Sequence, residues 1–223
     1  MITRFDMSVF NQPKSDLIKK ILIALFATIL IGLGIAFNAC ARFGNDPISV
    51  LFDGVHNSFG FTLGMASNIV NGIFFIMVLI FGRKYVNIGT LIYAVTLGFF
   101  VNTSISFYKF IEIPDSVVFR ICMSILACIS LCFGIALYIA VEIGLDPCTG
   151  FVMMLTDKTS KQYRFIRVAT DMSSLAIGFL LGGKVGVTTV VSALSGGPVI
   201  QAFLQFIKKS MLGIFKFKIN NND

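Results

Sequence analysis

The sequence GIAFNACARFGNDP at residues 34–47 reappears, partly changed, as GIALYIAVEIGLDP at residues 134–147. Each copy is followed at the same spacing by a Gly and a Lys, which are Gly82 and Lys84 and then Gly182 and Lys184. With the apolar sequence around it, each copy predicts three membrane crossings. A unit with an odd number of crossings must lie the opposite way up when it is repeated. The sequence therefore predicts an inverted-topology duplication, which is common among transporters.

The composition places the chain among membrane proteins. Hydrophobic residues make up 56% of the 223 residues, charged residues make up 13%, and the mean hydropathy is +0.88. Because a span needs roughly 20 largely apolar residues, we predict an all-α membrane protein with six transmembrane helices. The predicted spans cover residues 20–41, 62–82, 88–108, 117–141, 165–183 and 186–207.

These spans divide into two repeats flanked by polar tails. The three-helix repeats cover residues 17–110 and 111–207, and the tails cover residues 1–16 and 208–223. The first tail has no short apolar core with a cleavage site, so we expect no signal peptide. No stretch remains for a soluble domain.

The distribution of basic residues predicts the orientation. If the N-terminus is inside, 14 of the 18 Lys and Arg residues lie on the cytoplasmic side. This excess favours a cytoplasmic location for both termini. The formal net charge of +7 then reflects topology, and no basic patch with interleaved aromatic residues predicts binding to nucleic acid.

Small side chains recur at every fourth position of the first and fourth predicted spans. Membrane helices associate through such stripes because small side chains allow two backbones to approach closely. We expect the stripes to pack these two spans, and contact across the pseudo-two-fold axis is one arrangement. The stripes consist of Ala24, Thr28, Gly32, Ala36 and Cys40 in the first span, and of Ser124, Cys128, Cys132, Ala136 and Ala140 in the fourth.

A Gly-x-Asp-Pro motif follows each of these spans. Gly allows a helix to stop, Asp can cap the next helix, and Pro suits the first helical turn. We predict a helix of about three turns after each motif, roughly 16 Å long and too short to span. It is either an amphipathic interfacial helix or a re-entrant half-helix, which in inverted-repeat transporters lies at the substrate site. The motif residues are Gly44, Asp46 and Pro47, and Gly144, Asp146 and Pro147, and the two aspartates are candidates for binding a substrate or ion.

Polar residues inside the predicted spans are candidates for binding a substrate or ion, because they are costly in lipid. Asn71 and Asp171 are equivalent at the hundred-residue offset, and Asn102 and Gln201 are equivalent at an offset of 99. Asp171 lies four residues after Arg167 on one helical face. It therefore forms either an intrahelical ion pair or a cation or proton site, and these two interpretations are compatible.

Three further features follow from the repeat. Thr90 and Thr189 also match at the offset of 99. Pro198 interrupts the sixth span, where it is either a hinge or an inert kink. Arg42 and Glu142 occupy equivalent helix ends with opposite charges, for which opposite-facing gates are one hypothesis.

The sequence does not predict an enzyme. It offers no nucleophile with a positioned base and no phosphate-binding Gly-rich loop after a strand. None of the five cysteines has a His or Cys partner at metal-ligand spacing. We therefore expect no catalytic residues, no metal and no cofactor.

A run of Gly-Arg-Lys-x-x-x-x-Gly-Thr from Gly82 to Thr90 accompanies the doubled Gly-x-Asp-Pro unit and the Gly-Ile-Ala sequence before it. Through these motifs the chain resembles the YczE/YitT group of bacterial integral membrane proteins, from about Leu17 to Phe206. The resemblance implies a multi-pass protein of the bacterial inner membrane. It brings no substrate and no catalytic residues.

Three functions fit these observations. We expect a small-molecule transporter or exporter that works by alternating access, with an unknown substrate. The alternatives are a substrate-binding subunit of an energised importer, and a membrane accessory or scaffold protein without transport activity. The expected partners are the lipid bilayer and the small-molecule substrate, and a homodimer is left open.

Overall fold

The computed structural model describes residues 14–110 and 116–211, so most of both predicted tails lies outside the described residues. The described residues form helices with short connections and contain no strand. A 3-10 turn, Arg83–Tyr85, lies between the third and fourth α-helices. The α-helices are α1 (Lys14–Ala41), α2 (Pro47–Phe59), α3 (Leu63–Phe81), α4 (Ile88–Phe110), α5 (Val117–Val141), α6 (Pro147–Thr159), α7 (Tyr163–Leu180) and α8 (Val187–Met211).

Five of the described helices are long and apolar enough to cross a membrane. They are α1, α3, α4, α5 and α8, which match five of the six predicted spans. Helix α7 takes the place of the predicted fifth span, but it has only 18 residues. Arg164, Arg167 and Asp171 also make it more polar than the others. Length and composition alone therefore identify one span fewer than we predicted.

Helices α1 and α5 cross at the centre of the fold through two glycines. A Cβ atom on Gly34 would stand 2.9 Å from the carbonyl oxygen of Ala127, and one on Gly134 would stand 3.0 Å from that of Ala27. A side chain at either position would force the helices apart, because the backbone cannot yield locally. The predicted packing of the first and fourth spans is confirmed, and the two contact each other directly.

The predicted stripe is not the surface of closest contact between these helices. Gly32 faces α4 instead, where an added Cβ would stand 2.9 Å from the Cβ of Phe100. Ser130 adds a hydrogen bond to the α1–α5 interface by donating to the carbonyl oxygen of Leu30 at 2.8 Å. Helix α1 thus has two neighbouring faces of small residues, one for α5 and one for α4.

The other helices pack around this crossing in matching pairs. Helix α4 packs on α1 and α8 packs on α5, while α2 and α6 each pack against both α3 and α7. One match is missing. Helix α3 packs along α4, but within the described residues α7 and α8 have no comparable contact. Helix α8 is therefore exposed along nearly all of its length.

A close approach between Gly64 on α3 and Gly98 on α4 explains this difference. A Cβ on Gly64 would stand only 2.0 Å from the carbonyl oxygen of Gly98. Two amide side chains accept hydrogen bonds from these glycines: Asn68 from the Gly98 N–H at 2.8 Å, and Asn102 from the Gly64 N–H at 3.0 Å. The positions on α7 that match Gly64 and Asn68 are Arg164 and Val168. The second repeat thus has neither a glycine for so close an approach nor an amide acceptor at these two positions.

We predict that Gly64→Ala destabilises the protein by about 1–3 kcal/mol, which is the usual cost of inserting atoms into a tightly packed contact. Gly72→Ala on the same helix is the matched control, because no atom lies within 4 Å of a Cβ built there. In a helix interior, Ala is more favourable than Gly by roughly 0.5–1 kcal/mol, so this control should unfold at the same or a higher temperature. Thermal unfolding of the detergent-purified variants measures both effects, and equal midpoints would contradict the prediction.

Candidate functional site

The two Gly-x-Asp-Pro motifs each begin a short helix, as predicted. Pro47 and Pro147 are the first residues of α2 and α6. The side chain of Asp46 accepts a hydrogen bond from the Ser49 N–H at 3.3 Å, and Asp146 accepts one from the Thr149 N–H at 2.9 Å. Each helix has 13 residues. The carboxylates satisfy amide groups that would otherwise lack partners in the interior.

Both short helices run from the interior of the protein to its surface. In α2 the first two turns are buried on nearly every side, and the residues from Asn57 onward are exposed. In α6 burial is again concentrated in the first two turns, and the residues from Asp157 onward are exposed. Each helix lies between α3 and α7. Neither helix therefore lies with one face along the protein surface.

A charged pair on α7 lies beside the start of α6. Arg167 donates from Nε to Oδ2 of Asp171 at 3.1 Å and from Nη1 to the hydroxyl of Thr149 at 3.3 Å. The side chains of Arg167 and Asp171 are only 31% and 21% exposed. The predicted intrahelical ion pair is confirmed. The hydrogen bond to Thr149 attaches it to the first turn of a Gly-x-Asp-Pro helix, which the sequence did not predict.

Two buried tyrosines join the starts of the two short helices. The phenol of Tyr93 interacts electrostatically with both Asp46 and Asp146. It packs edge-on against Tyr138 with ring centroids 5.3 Å apart. Tyr138 in turn donates a hydrogen bond to the carbonyl oxygen of Gly89 at 2.5 Å. Hydrogen bonds link Asp146, Thr149, Arg167 and Asp171, and electrostatic interactions connect Asp46 and Tyr93 to them. We call this interior region the polar centre: Asp46, Tyr93, Asp146, Thr149, Arg167 and Asp171.

Several polar atoms at or near the polar centre are buried without a hydrogen-bond partner. They include Oδ1 of Asp46, Oδ1 of Asp171 and Oδ1 of Asn45. Both amide atoms of Asn38 are in the same condition, and that residue is only 1% exposed. A buried acceptor without a partner carries a desolvation cost of about 1–3 kcal/mol. Oxygen atoms in this state are suited to take up a proton or a hard cation.

The geometry does not form a multi-ligand metal centre. Among the described residues, no three His, Cys, Asp or Glu side chains come close enough to hold one metal ion.

The structure separates the polar residues that we predicted as candidates. Asp46, Asp146 and Asp171 come together at the polar centre. Asn71 is buried, but its amide donates to the Ser67 carbonyl oxygen of its own helix at 2.9 Å. Asn102 holds α4 to the start of α3. Gln201 is exposed on α8.

Helix α8 continues without a break through Pro198, which is exposed. The helix thus tolerates the loss of one backbone hydrogen bond, and the choice between a hinge and an inert kink stays a prediction. Sequence reasoning also missed Asn38, Tyr93 and Tyr138. A census of every polar side chain inside the predicted spans would have included all three.

We predict that Asp171→Asn lowers the thermal unfolding midpoint, because it leaves the Arg167 charge uncompensated. The loss should be about 1.5–3 kcal/mol, as expected for a hydrogen bond to a charged group. Arg167→Gln/Asp171→Asn should recover part of this loss, since the double variant contains no uncompensated charge. If the losses of stability caused by Arg167→Gln alone and by Asp171→Asn alone simply add in the double variant, the two residues are not coupled and the prediction is wrong.

Comparisons with known proteins agree with the membrane character of the fold. Residues 18–205 match the model of a family of unknown function, DUF6198. An uncharacterized protein of Haemophilus influenzae is 27% identical over 193 residues, which cover 86% of each chain. The uncharacterized membrane protein YczE of Bacillus subtilis is 22% identical over 191 residues, covering 84% of this chain and 86% of YczE. No solved structure matches.

The resemblance that rested on the repeated motifs is thereby confirmed, since a YczE protein is among the relatives. Together with the five apolar helices, it places the chain in a membrane. The family match covers most of the chain, from residue 18 near the start of α1 to residue 205 within α8. This protein belongs to the DUF6198 family.

Proposed function

We propose that this protein is a small-molecule transporter of the bacterial inner membrane, in which two inverted three-span halves alternate access around the polar centre. One half comprises α1 to α4 and the other comprises α5 to α8. Both termini lie in the cytoplasm, in keeping with the excess of Lys and Arg on that side. Helix α7 is the fifth of the six spans in this proposal.

One observation carries the proposal: two Asp-capped helix starts, one from each half, are buried, and both carboxylates act electrostatically on the same buried tyrosine. Short helices that begin in the interior place their positive N-terminal ends, and the extended backbone before them, inside the protein. Inverted-repeat transporters bind substrates and coupling ions at such interrupted elements near the middle of the bilayer. Asp46 Oδ1 and Asp171 Oδ1 lack partners there, so they are the acceptors we assign to the coupling proton or cation.

Contacts that recur at the repeat offset support the inverted relation. The Gly89 N–H donates to the carbonyl oxygen of Ile143 at 3.2 Å, and the Thr188 N–H donates to that of Phe43 at 3.0 Å. Each pair joins a loop of one half to a helix start of the other, and the two pairs correspond at offsets of 99 and 100. The matching hydroxyls of Thr90 and Thr189 likewise accept from N–H groups three residues earlier, at 3.3 and 3.1 Å.

The polarity of α7 is compatible with a spanning helix. Its interior charges are paired with each other and bonded to α6 through Thr149. Polar groups within membrane spans face the protein interior, and they mark paths for ions or substrates. The charged residues that make α7 too polar to be identified as a membrane span by composition are therefore the residues that the proposed function needs.

We predict that matched cysteines at the ends of the two short helices react with a maleimide applied from opposite sides of the membrane. Phe59→Cys and Thr159→Cys are suitable because both positions are exposed and equivalent at the hundred-residue offset. The five native cysteines are first replaced by alanine. In intact cells, an impermeant maleimide should label position 59, and position 159 should require permeabilisation.

Labelling of both positions from one side would contradict the inverted arrangement, and with it the alternating-access proposal. Denatured samples of each variant provide the control that both thiols react when the membrane is removed.

We predict that the Arg167→Gln/Asp171→Asn variant folds but loses transport, because it removes the proposed ion acceptor while keeping the interior neutral. A thermal-shift screen of the purified protein first identifies a ligand, since a ligand that binds the native state raises apparent stability. Flux of that ligand into proteoliposomes should fall by roughly tenfold or more, a change of about 1.4 kcal/mol in barrier. The control is Gln201→Ala, which alters an exposed residue of α8.

Unchanged flux in the double variant would remove the polar centre from the mechanism. Binding without any flux, together with co-purification of an ATPase, would favour the importer-subunit alternative over a carrier.

A further inference from the structure

An open cavity of about 790 Å³ lies where the ends of α1 and α4 meet α2, the start of α3 and the connection between α7 and α8. It is separate from the polar centre and shares no residue with it. Three cationic side chains line it: Arg42, Lys109 and Lys184. We call this cavity the basic vestibule. Its other polar lining includes Asp53, His56, Asn57, Asn102 and Ser106.

Within the part of the chain that the structure describes, the cations of the basic vestibule form no ion pair with an acid. Within the described residues, no carboxylate lies within 4.0 Å of Arg42, Lys109 or Lys184. The one acid in the lining, Asp53, is occupied in another way, because its Oδ2 accepts from the backbone N–H of Lys184 at 2.8 Å. Both Arg42 and Lys109 act electrostatically on Cys40, so their charges converge on one end of α1.

At the opposite end of the molecule, lysines stand at the equivalent positions, and ion pairs with acidic residues neutralise them. Lys208 pairs with Glu142 at 3.2 Å. Lys84 pairs with Asp157, which also accepts a hydrogen bond from the hydroxyl of Tyr85. The hydrogen bond to Asp157 raises the pKa of the Lys84 ammonium above its usual value. These four groups sum to zero charge.

The repeat relates the two ends residue by residue. Lys109 and Lys184 stand at the positions of Lys208 and Lys84, at offsets of 99 and 100. Their acidic partners, however, are replaced. The position of Glu142 is occupied by Arg42, and the position of Asp157 is occupied by Asn57. The four groups at this end therefore sum to three positive charges, and Asp53 reduces the net charge of the described lining to two.

We propose that the basic vestibule binds an anionic group, a phosphate or a carboxylate, on its ligand. A cleft lined by charge of one sign focuses the field and concentrates counter-ions. Arg42 brings a planar donor set that matches phosphate and carboxylate oxygens, and the two lysines add point charges. The acids Glu112 and Asp115 lie in residues outside the described ranges, so the charge count refers to the described lining alone.

The anionic group can come from a free solute or from a phospholipid headgroup, and one experiment distinguishes them. The full chain is placed in nanodiscs of phosphatidylcholine alone, and inorganic phosphate is titrated at constant ionic strength against chloride. A second set of nanodiscs contains phosphatidylglycerol and no added phosphate. The thermal unfolding midpoint reports binding in both cases, because a ligand of the native state raises it by mass action.

Two variants at equivalent positions provide the comparison. Lys109→Gln/Lys184→Gln removes cations from the basic vestibule, and Lys84→Gln/Lys208→Gln removes the same number from the ion-paired end. We expect phosphate to raise the midpoint of the wild type and of the second variant. In the first variant the apparent Kd should weaken by roughly tenfold or more. Arg42→Glu, which places the acid of the equivalent position 142 in the vestibule, should also lose the response while keeping the fold, because Glu142 adopts the same left-handed backbone conformation as Arg42.

Stabilisation by phosphatidylglycerol alone, with the same dependence on Lys109 and Lys184, would support the site and identify its ligand as a headgroup. The proposal is overturned if neither phosphate nor phosphatidylglycerol stabilises the wild type. It is equally overturned if both double-lysine variants respond alike, since the effect then does not arise in the vestibule. Because binding is measured without flux, the result does not depend on the proposed transport.

Discussion

The contact between α1 and α5 at Gly34 and Gly134 is the constraint on which the rest of the structure depends. Each glycine lies where a Cβ would meet the backbone of the opposite helix. Because lipid does not drive apolar helices together, close backbone packing must hold this crossing. The crossing places the ends of α1 and α5 so that the chain can turn back into the protein after each. The two Gly-x-Asp-Pro segments consequently begin their short helices in the same interior region.

The polar centre forms because the chain turns back into the protein after α1 and again after α5. A helix that starts inside a membrane protein must satisfy its first amide groups internally, and Asp46 and Asp146 do so as side-chain caps. The same positions bring the ends of two helix dipoles, a tyrosine and the Arg167–Asp171 pair into one region. Caps are needed for folding, but each carboxylate has a second oxygen. For Asp46 that oxygen is buried and unpartnered, so the proposed proton or cation site uses a residue that also caps a helix.

The two halves have diverged in ways that the structure connects to function. Gly64 allows α3 to pack along α4, whereas Arg164 stands at the matching position and α7 has no comparable contact with α8 in the described part of the chain. At the helix ends, Glu142 neutralises Lys208, whereas Arg42 adds a charge to the matching cavity. A duplicated protein in which both ends were identical would present the same surface to both sides of a membrane. These substitutions distinguish one end from the other.

The sequence by itself determined the membrane class, the helical fold, the positions of most helices, the two Asp caps and the Arg167–Asp171 pair. Each of these follows from local composition or from spacing within one helix. Only the tertiary structure decided that the closest packing uses Gly34 and that Asn102 holds two helices together. It also decided that Gln201 is exposed and that Thr149 and Tyr93 belong to the polar centre. These facts depend on which faces of different helices meet, and residues far apart in the chain determine that jointly.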